Sequence, residues 1–207
     1  MKLIVRSDVI DIRSDTPTEH DDFLVDTNAW YWLQYANASH AVMNAPNYQI
    51  HDYPNFLKLA ISGNSKLFTS PLCFSELAHN IEDAECKIYA DKANKKISLK
   101  HFRYDYPNQR ARVAALICEI WQDIQDVSII APLNLDEKFV GAAVSNFVKY
   151  TLDGYDLYMV EQAKSLGITK IITDDADYCS VSGITVFTAN QRALAEAKAA
   201  GRLLTRP

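Results

Sequence analysis

Acidic side chains stand directly after apolar runs or near the start of amphipathic segments at several places in this sequence. They are Asp26, Glu76, Asp156, Asp174, Asp175 and Asp177. Carboxylates that approach within about 4–6 Å repel one another unless protons or a cation join them. Oxygen ligands of this kind suit hard divalent cations such as Mg²⁺. A divalent ion held there can activate a water molecule and neutralise charge on a phosphoryl oxygen, so the pattern indicates phosphodiester hydrolysis.

The segments that must position these acids alternate between strand-like and helix-like patterns. Short apolar runs typical of buried strands lie at 23–25, 66–69, 128–132, 170–173 and 184–187. Helical patterns lie at 108–126, 134–149, 155–166 and 190–200, and a further one begins at Ser70-Pro71. This alternation predicts an α/β fold, a parallel sheet with helices on both faces. Because ligands bind beyond the carboxyl ends of such strands, we expect the acids to meet at one edge of the sheet.

Each acid taken alone has an ordinary structural explanation. Asp26 suits the N-cap of a helix at 28–36, and Asp156 suits the positive end of a helix dipole. The acids at 174–177 suit a solvated loop, and Glu76 has the weakest local signature of the set. It is their joint placement at one predicted edge that favours an active site over a set of caps and turns.

Four motifs in order resemble those of PIN-domain nucleases, the family that includes the VapC toxins of bacterial toxin–antitoxin pairs. The segment FLVDTNAWYWL resembles the first strand with its Asp-Thr-Asn motif, and SPLCFSELAH resembles the helix that carries the family glutamate. GYDLYMVEQAKSLG resembles the helix of the third acid, which selects Asp156 rather than Asp153. IITDDADY resembles the Thr-x-Asp-x-Asp-Phe motif, with Tyr178 in place of the usual Phe.

The resemblance implies a three-layer α/β/α fold with a five-stranded parallel sheet of order 3-2-1-4-5. It implies a metal-dependent ribonuclease, a hydrolase of RNA that uses Mg²⁺ or Mn²⁺. The implied catalytic residues are Asp26, Glu76, Asp156 and Asp175, with Asp177 as an additional metal ligand and with Asn28 and Thr173 in supporting roles. A cognate antitoxin and a second copy of the chain are the protein partners that the resemblance implies.

The chain is longer than the compact members of that family. We predict an N-terminal extension at 1–22, a PIN-like nuclease domain at 23–190 and a C-terminal tail helix at 191–207. A basic insertion at about 87–112 holds eight basic and two acidic residues, a local charge of +6 in a chain of net charge −5. Bases and aromatic rings alternate there, which is typical of contacts with phosphates and unpaired bases. The predicted RNA-binding residues are Lys100, Arg103, Arg110 and Arg112, and a solvated helix end is the equal alternative.

Composition is that of an ordinary globular protein, with 48% hydrophobic and 23% charged residues among 207. The cysteines show no metal-finger or redox spacing, and we interpret them as reduced core residues of a cytoplasmic protein. They are Cys73, Cys86, Cys118 and Cys179. No apolar stretch approaches the roughly 18 residues of a membrane span, and the first residues do not resemble a signal peptide.

Other protein classes place aspartates at the end of a parallel sheet. A receiver-type switch needs an Asp after strand three, where this chain has Ala131-Pro132. A haloacid-dehalogenase-type phosphatase needs Asp-x-Asp after strand one, where this chain has Asp26-Thr27-Asn28. A non-catalytic PIN-fold module that binds RNA or protein is the alternative that the sequence leaves open.

Overall fold

A computed structural model describes residues 3–38 and 46–206 of the chain. In this described part the strands are β1 (Asp8–Asp11), β2 (Asp22–Val25), β3 (Lys66–Thr69), β4 (Ile129–Ile130), β5 (Lys170–Ile172), β6 (Thr185–Thr188) and β7 (Leu203–Leu204). The helices are α1 (Thr27–Gln34), α2 (Asn47–Ser62), α3 (Leu72–Lys92), α4 (Leu99–Asp105), α5 (Pro107–Val127), α6 (Glu137–Phe147), α7 (Gly154–Ser165) and α8 (Gln191–Ala199). A 3₁₀ helix covers Ala176–Ser180. The structure is therefore α/β, as predicted.

The strands form one parallel sheet of order β4-β3-β2-β5-β6-β1-β7. The five predicted runs correspond to β2 to β6. Their order in the sheet, β4-β3-β2-β5-β6, is the predicted order 3-2-1-4-5. The predicted number of five is wrong, because β1 and β7 extend the sheet to seven strands among the described residues. Both are hard to detect in the sequence: β1 has a charged residue at each end, and β7 has only two residues.

The core has two parts, one on each face of the sheet. In β2, Phe23 and Val25 face the helices α1, α2, α3 and α5, whereas Leu24 faces α7 and α8. This alternation follows from the two-residue repeat of a strand. The arrangement is a three-layer α/β/α sandwich. β2 lies at its centre, because Phe23, Leu24 and Val25 are all fully buried.

Two helices that the sequence patterns did not predict are α2 and α4. Pro54 lies inside α2, and a proline interrupts the helical hydrogen-bond ladder, which masks the amphipathic pattern. Tyr53, Phe56 and Leu57 nevertheless bury one face of α2 against the sheet. The predicted helix at 155–166 is present as α7 and ends at Gly167, whose φ of +71° suits glycine.

Three further predictions concern the cysteines, membrane-spanning segments and the division of the chain into domains. Cys118 is exposed on α5, so the interpretation of all four cysteines as core residues is wrong for this one; the other three are buried. None of the described helices is both long and apolar enough to cross a membrane. The division into an extension, a domain and a tail stays a prediction, and its positions 1–2, 39–45 and 207 lie outside the described residues.

Candidate active site

Asp26 and Thr173 lie side by side at the carboxyl edge of the sheet. Each directly follows a strand, and the last residues of those strands, Val25 and Ile172, are register partners. The Asp26 amide donates to the Ile172 carbonyl at 3.0 Å, and the Thr173 hydroxyl donates to Oδ2 of Asp26 at 2.7 Å. The position of the first predicted acid is thus set by the pairing of the two central strands.

The carboxylate of Asp26 is buried and held by several donors. Its Oδ1 accepts the backbone N–H of Thr27 at 2.7 Å, which makes Asp26 the N-cap of α1. Its Oδ2 also accepts from the side-chain amide of Asn28. Only 2% of Asp26 is exposed to solvent. The cap interpretation and the active-site interpretation therefore describe the same side chain, because one oxygen caps α1 and the other faces the loop after β5.

Asn28 and Thr173 join the two loops of the edge. Oδ1 of Asn28 accepts the backbone N–H of Asp174 at 2.9 Å, and its amide nitrogen lies 3.3 Å from the Thr173 hydroxyl. That hydroxyl accepts the backbone N–H of Asp175 at 2.9 Å. The predicted supporting residues thus connect the Asp26 carboxylate with the backbone that carries Asp175.

The remaining predicted acids come from helices that start near the same edge. Glu76 lies in the second turn of α3 and is half-buried. Asp156 lies in the first turn of α7, also half-buried, and its Oδ1 accepts the phenol hydroxyl of Tyr178 at 2.9 Å. Asp153 is the N-cap of α7 and accepts the backbone N–H groups of Tyr155 and Asp156.

The electrostatics of the four predicted catalytic acids show that they act on one another. Burial raises the pKa of Asp26, and the negative charges of Glu76 and Asp175 raise it further. Burial also raises the pKa of Asp156, to which Asp26, Asp153 and Asp175 add. The pKa values of Glu76 and of Asp175 are raised by burial first and then by neighbouring acids, Asp153 among them in both cases. Side chains that are distant in the sequence thus share one negative region.

No arginine or lysine among the described residues forms an ion pair with the predicted acids, although several acids elsewhere in the chain have such partners. Within residues 3–38 and 46–206, no three carboxylate, histidine or cysteine side chains are gathered tightly enough to form a complete metal-binding group. The Thr27 hydroxyl, next to Asp26, is buried, and it lowers the pKa of the neighbouring Glu76. An oxygen-only set of donors fits Mg²⁺, which takes one or two carboxylates and completes its shell with water.

The three aspartates after β5 have different surroundings. Asp175 caps the 3₁₀ helix by accepting the backbone N–H of Asp177 at 2.8 Å, and Asp177 is half-buried in that helix. Asp174 turns to α2 instead, where its carboxylate accepts from Tyr53 at 2.9 Å and from Gln49. Asp174, which the motif leaves as a variable position, therefore anchors α2 to the loop.

Two of the four predicted RNA-binding residues contact a buried acid. Arg103 on α4 and Arg110 on α5 both form ion pairs with Glu82 of α3, of whose side chain only 4% is exposed. Lys100 and Arg112 have exposed side chains. The RNA-binding role of these residues stays a prediction, and for the two arginines bound to Glu82 a structural role is now visible.

The sequence patterns did not predict the contact between Tyr178 and Asp156 or the contact of Asp174 with α2. The tyrosine itself is visible in the sequence as a departure from the motif. Its partner lies 22 residues earlier on another element. Only the packing of the 3₁₀ helix against α7 brings the two together.

No model of a known protein family matches this sequence, and a comparison with curated protein sequences gives no significant match. Among solved structures, the chain is similar to one in the crystal structure of VapBC2 from Rickettsia felis bound to a DNA fragment from their promoter. The alignment covers 81% of this chain and 98% of that chain, with 11% identity and a TM-score of 0.47. A likeness at this level carries no conclusion about activity, so the function is argued from the site alone.

Proposed function

We propose that this protein is a metal-dependent ribonuclease whose active site lies at the carboxyl edge of the central strands. The observation that carries the proposal is the shared negative region of Asp26, Glu76, Asp156 and Asp175, each with a pKa raised by burial and by other acids. A folded protein stabilises such a group by holding protons or a divalent cation within it. The non-catalytic module remains the alternative, and metal-dependent turnover distinguishes the two.

Each acid has a proposed role at the ion. Asp26 and Asp156 would hold it directly, because the first is fixed by three donors and the second keeps one oxygen free of the Tyr178 hydroxyl. Glu76 and Asp175 would hold a second ion or act through water, and Asp177 would be an outer ligand. The bound Mg²⁺ or Mn²⁺ supplies activation of water and neutralisation of phosphoryl charge.

The chain's own residues provide orientation at this site. Asn28 and Thr173 fix Oδ2 of Asp26 from two sides, so that this carboxylate does not rotate when substrate enters. The Thr27 hydroxyl, beside Asp26, lowers the pKa of Glu76 and would hold that carboxylate in place. Fixed donors of this kind lower the cost of reorganising the site during reaction.

The proposed substrate is RNA, and the predicted protein partners stay predictions. Lys100 and Arg112 are the cations of the basic insertion that we propose to contact phosphates. A cognate antitoxin or a second copy would find exposed apolar side chains at Val144, Phe147 and Tyr155, close to Asp153. This exposed apolar surface is where we propose that such a partner binds.

The experiment is RNA cleavage by purified protein with Mg²⁺ or Mn²⁺, with EDTA and with Asp26→Asn. We expect cleavage with either ion, none in EDTA, and a loss of at least about 100-fold in Asp26→Asn, since a site carboxylate is removed. Asp136→Asn is the matched control, because Asp136 is the exposed N-cap of α6 and asparagine caps a helix as well as aspartate does. Cleavage that persists in EDTA, or in folded Asp26→Asn at the wild-type rate, contradicts the proposal.

A further inference from the structure

Tyr178 is a buried side chain whose polar group contacts one of the proposed metal ligands. The residue has no solvent exposure, and its hydroxyl lies 2.9 Å from Oδ1 of Asp156 and 4.0 Å from the sulfur of Met159. A thioether sulfur is a weak acceptor, so the carboxylate is the strong partner of this phenol. A buried hydroxyl without such a partner would be desolvated with no compensating hydrogen bond, which makes the contact a strong constraint on both side chains.

The segment that carries Tyr178 is fixed at both ends. Its 3₁₀ helix begins after Asp175, whose backbone N–H donates to the Thr173 hydroxyl, the same hydroxyl that donates to Asp26. At its other end, the Ser180 hydroxyl donates to the Asp177 carbonyl and accepts the backbone N–H of Thr151. The phenol is thus held at a set place relative to the carboxyl edge, and it transmits that placement to α7.

The contact makes the two oxygens of Asp156 unequal. Oδ1 accepts the phenol, and no hydrogen bond from another described residue reaches Oδ2, while Asp26, Asp153 and Asp175 act on the carboxyl group as negative neighbours. A carboxylate with one oxygen held presents the other in a defined direction. Hydrogen bonds from second-layer groups to metal-ligating carboxylates orient the ligand in this way.

We propose that Tyr178 is a positioning residue that holds Oδ1 of Asp156 and so directs Oδ2 to the divalent cation. The inference rests on the proposed function, since it needs a cation at the carboxyl edge. The inference goes beyond the proposed function because it assigns a role to an uncharged, fully buried side chain. It gives a role to a hydroxyl that lies in a core position, which phenylalanine would fill with the same ring.

The test measures the Mn²⁺ affinity of the full chain by titration calorimetry, without RNA. Tyr178→Phe keeps the ring and removes the hydroxyl, and we expect its Kd for Mn²⁺ to rise by roughly 10- to 100-fold. Tyr35→Phe is the matched control: Tyr35 is buried, and its hydroxyl donates to Glu85 at 2.6 Å, nine residues beyond Glu76 on α3. Its Kd should equal that of the wild type, although it also loses a phenol–carboxylate hydrogen bond.

A second comparison uses the Asp156→Asn background. If Tyr178 acts through Asp156, adding Tyr178→Phe to Asp156→Asn causes little further loss of Mn²⁺ affinity, because the losses are coupled. A full additional 10-fold loss in the double variant would overturn the proposed route. An unchanged Kd in folded Tyr178→Phe would overturn the proposal and leave the ribonuclease proposal intact. A wild type that binds no Mn²⁺ would overturn both.

A measurement on the wild type removes dependence on the folding of the variant. The ¹³Cζ resonance of Tyr178 reports on its hydroxyl, and we expect it to shift during Mg²⁺ titration with the same midpoint as metal binding. The Tyr35 resonance should stay in place. A Tyr178 resonance that does not move while Mg²⁺ binds contradicts the inference.

Discussion

Asp26 and Asp156 show two ways in which one residue type is held at the carboxyl edge of the sheet. Asp26 has three donors on its carboxylate and is buried, whereas Asp156 has one donor, the phenol of Tyr178, and is half-buried. The first arrangement fixes the whole group, and the second leaves one oxygen without a donor among the described residues. Substitution of Asp156 therefore relieves repulsion without breaking a dense hydrogen-bond network.

Asp156→Asn is predicted to stabilise the metal-free protein. Asparagine retains an oxygen for the Tyr178 hydroxyl and replaces the second carboxylate oxygen by an amide that neighbouring acids attract. We expect a gain of about 1 kcal/mol at pH 8, which corresponds to a rise in Tm of about 2–4 °C in EDTA. Thermal unfolding followed by circular dichroism measures it, with Asp136→Asn as the control that should show no rise.

The same variant is predicted to respond less to metal. A cation that binds only the folded state raises Tm, and removal of a ligand reduces this gain. The wild type should therefore gain more from millimolar Mg²⁺ than Asp156→Asn does. A variant that is less stable than the wild type in EDTA would show that Asp156 is not under repulsion.

At the scale of elements, Glu82 connects the three helices over which the basic insertion extends. It lies on α3 and binds Arg103 of α4 and Arg110 of α5, with an Nε–Oε2 distance of 2.9 Å to Arg103. A buried carboxylate needs such partners, because an unpaired charge in the core costs several kcal/mol. Two of the positive charges of the insertion, Arg103 and Arg110, are therefore used to pair with Glu82. Fewer cations are left for contacts with RNA than the sequence suggests.

A double substitution and a single substitution are predicted to separate these roles. Lys100→Ala with Arg112→Ala should lower the slope of log K for RNA against log salt by about 1.4, since each phosphate contact on a single strand contributes about 0.7. Stability should not change, because both side chains are exposed. Arg103→Ala should instead lower the free energy of unfolding by about 2–3 kcal/mol, with Arg110 still present at Glu82.

Salt-dependent RNA binding and urea unfolding of the same preparations measure both effects. Lys198→Ala, an exposed cation on α8, is the control for the salt slope. An unchanged slope in the Lys100 and Arg112 variant favours the solvated helix end as the explanation of these charges.

At the scale of the whole molecule, the amino edge of the sheet is closed by charges, in contrast with the carboxyl edge. Asp21 precedes β2 and is bound by Lys170 at the start of β5 and by Arg206, which follows β7. Arg206 also binds Asp15 and lies over the ring of Phe187 at 5.0 Å. The segment before β2, the central strands and the segment after β7 are thus joined at one place.

Arg206→Ala is predicted to destabilise the protein near neutral pH by about 3 kcal/mol, because it leaves buried acids with fewer partners. The Tm should fall by about 6–12 °C. The control is Arg202→Ala, whose ion pair with Asp8 is exposed and worth at most about 1 kcal/mol. Equal effects of the two substitutions would contradict a structural role for the buried pair.

The effect of Arg206→Ala has a predicted pH dependence. Burial by itself would raise the pKa of Asp21, but hydrogen bonds from Lys170, Thr18 and Arg206 outweigh it and lower this pKa to about 2. A carboxyl whose pKa is lower in the folded state stabilises the fold above its unfolded value of 3.8 and loses that contribution as pH falls towards 2. The difference between wild type and variant should therefore shrink between pH 4 and pH 2 in acid unfolding experiments.

The sequence alone determined the α/β class, the places of five strands and the ends of helices such as α7, whereas the order of those strands came from the family resemblance. These features follow from apolar runs, helical periodicity and residues such as Gly167, whose effects are local. It also predicted that Asp26 and Thr173 would meet, because parallel strands end at a common edge. It missed the strands β1 and β7 and the helix α2, whose patterns are short or interrupted by Pro54.

Only the tertiary structure decided which partner each polar side chain has. Asp174 and Asp175 are adjacent in the sequence, yet one binds Tyr53 of α2 and the other caps the helix of Tyr178. Arg103, taken from the sequence as an RNA contact, is bound to Glu82. Local patterns fix where an element lies, but hydrogen bonds and ion pairs depend on how elements pack, and that is set by contacts between residues far apart in the chain.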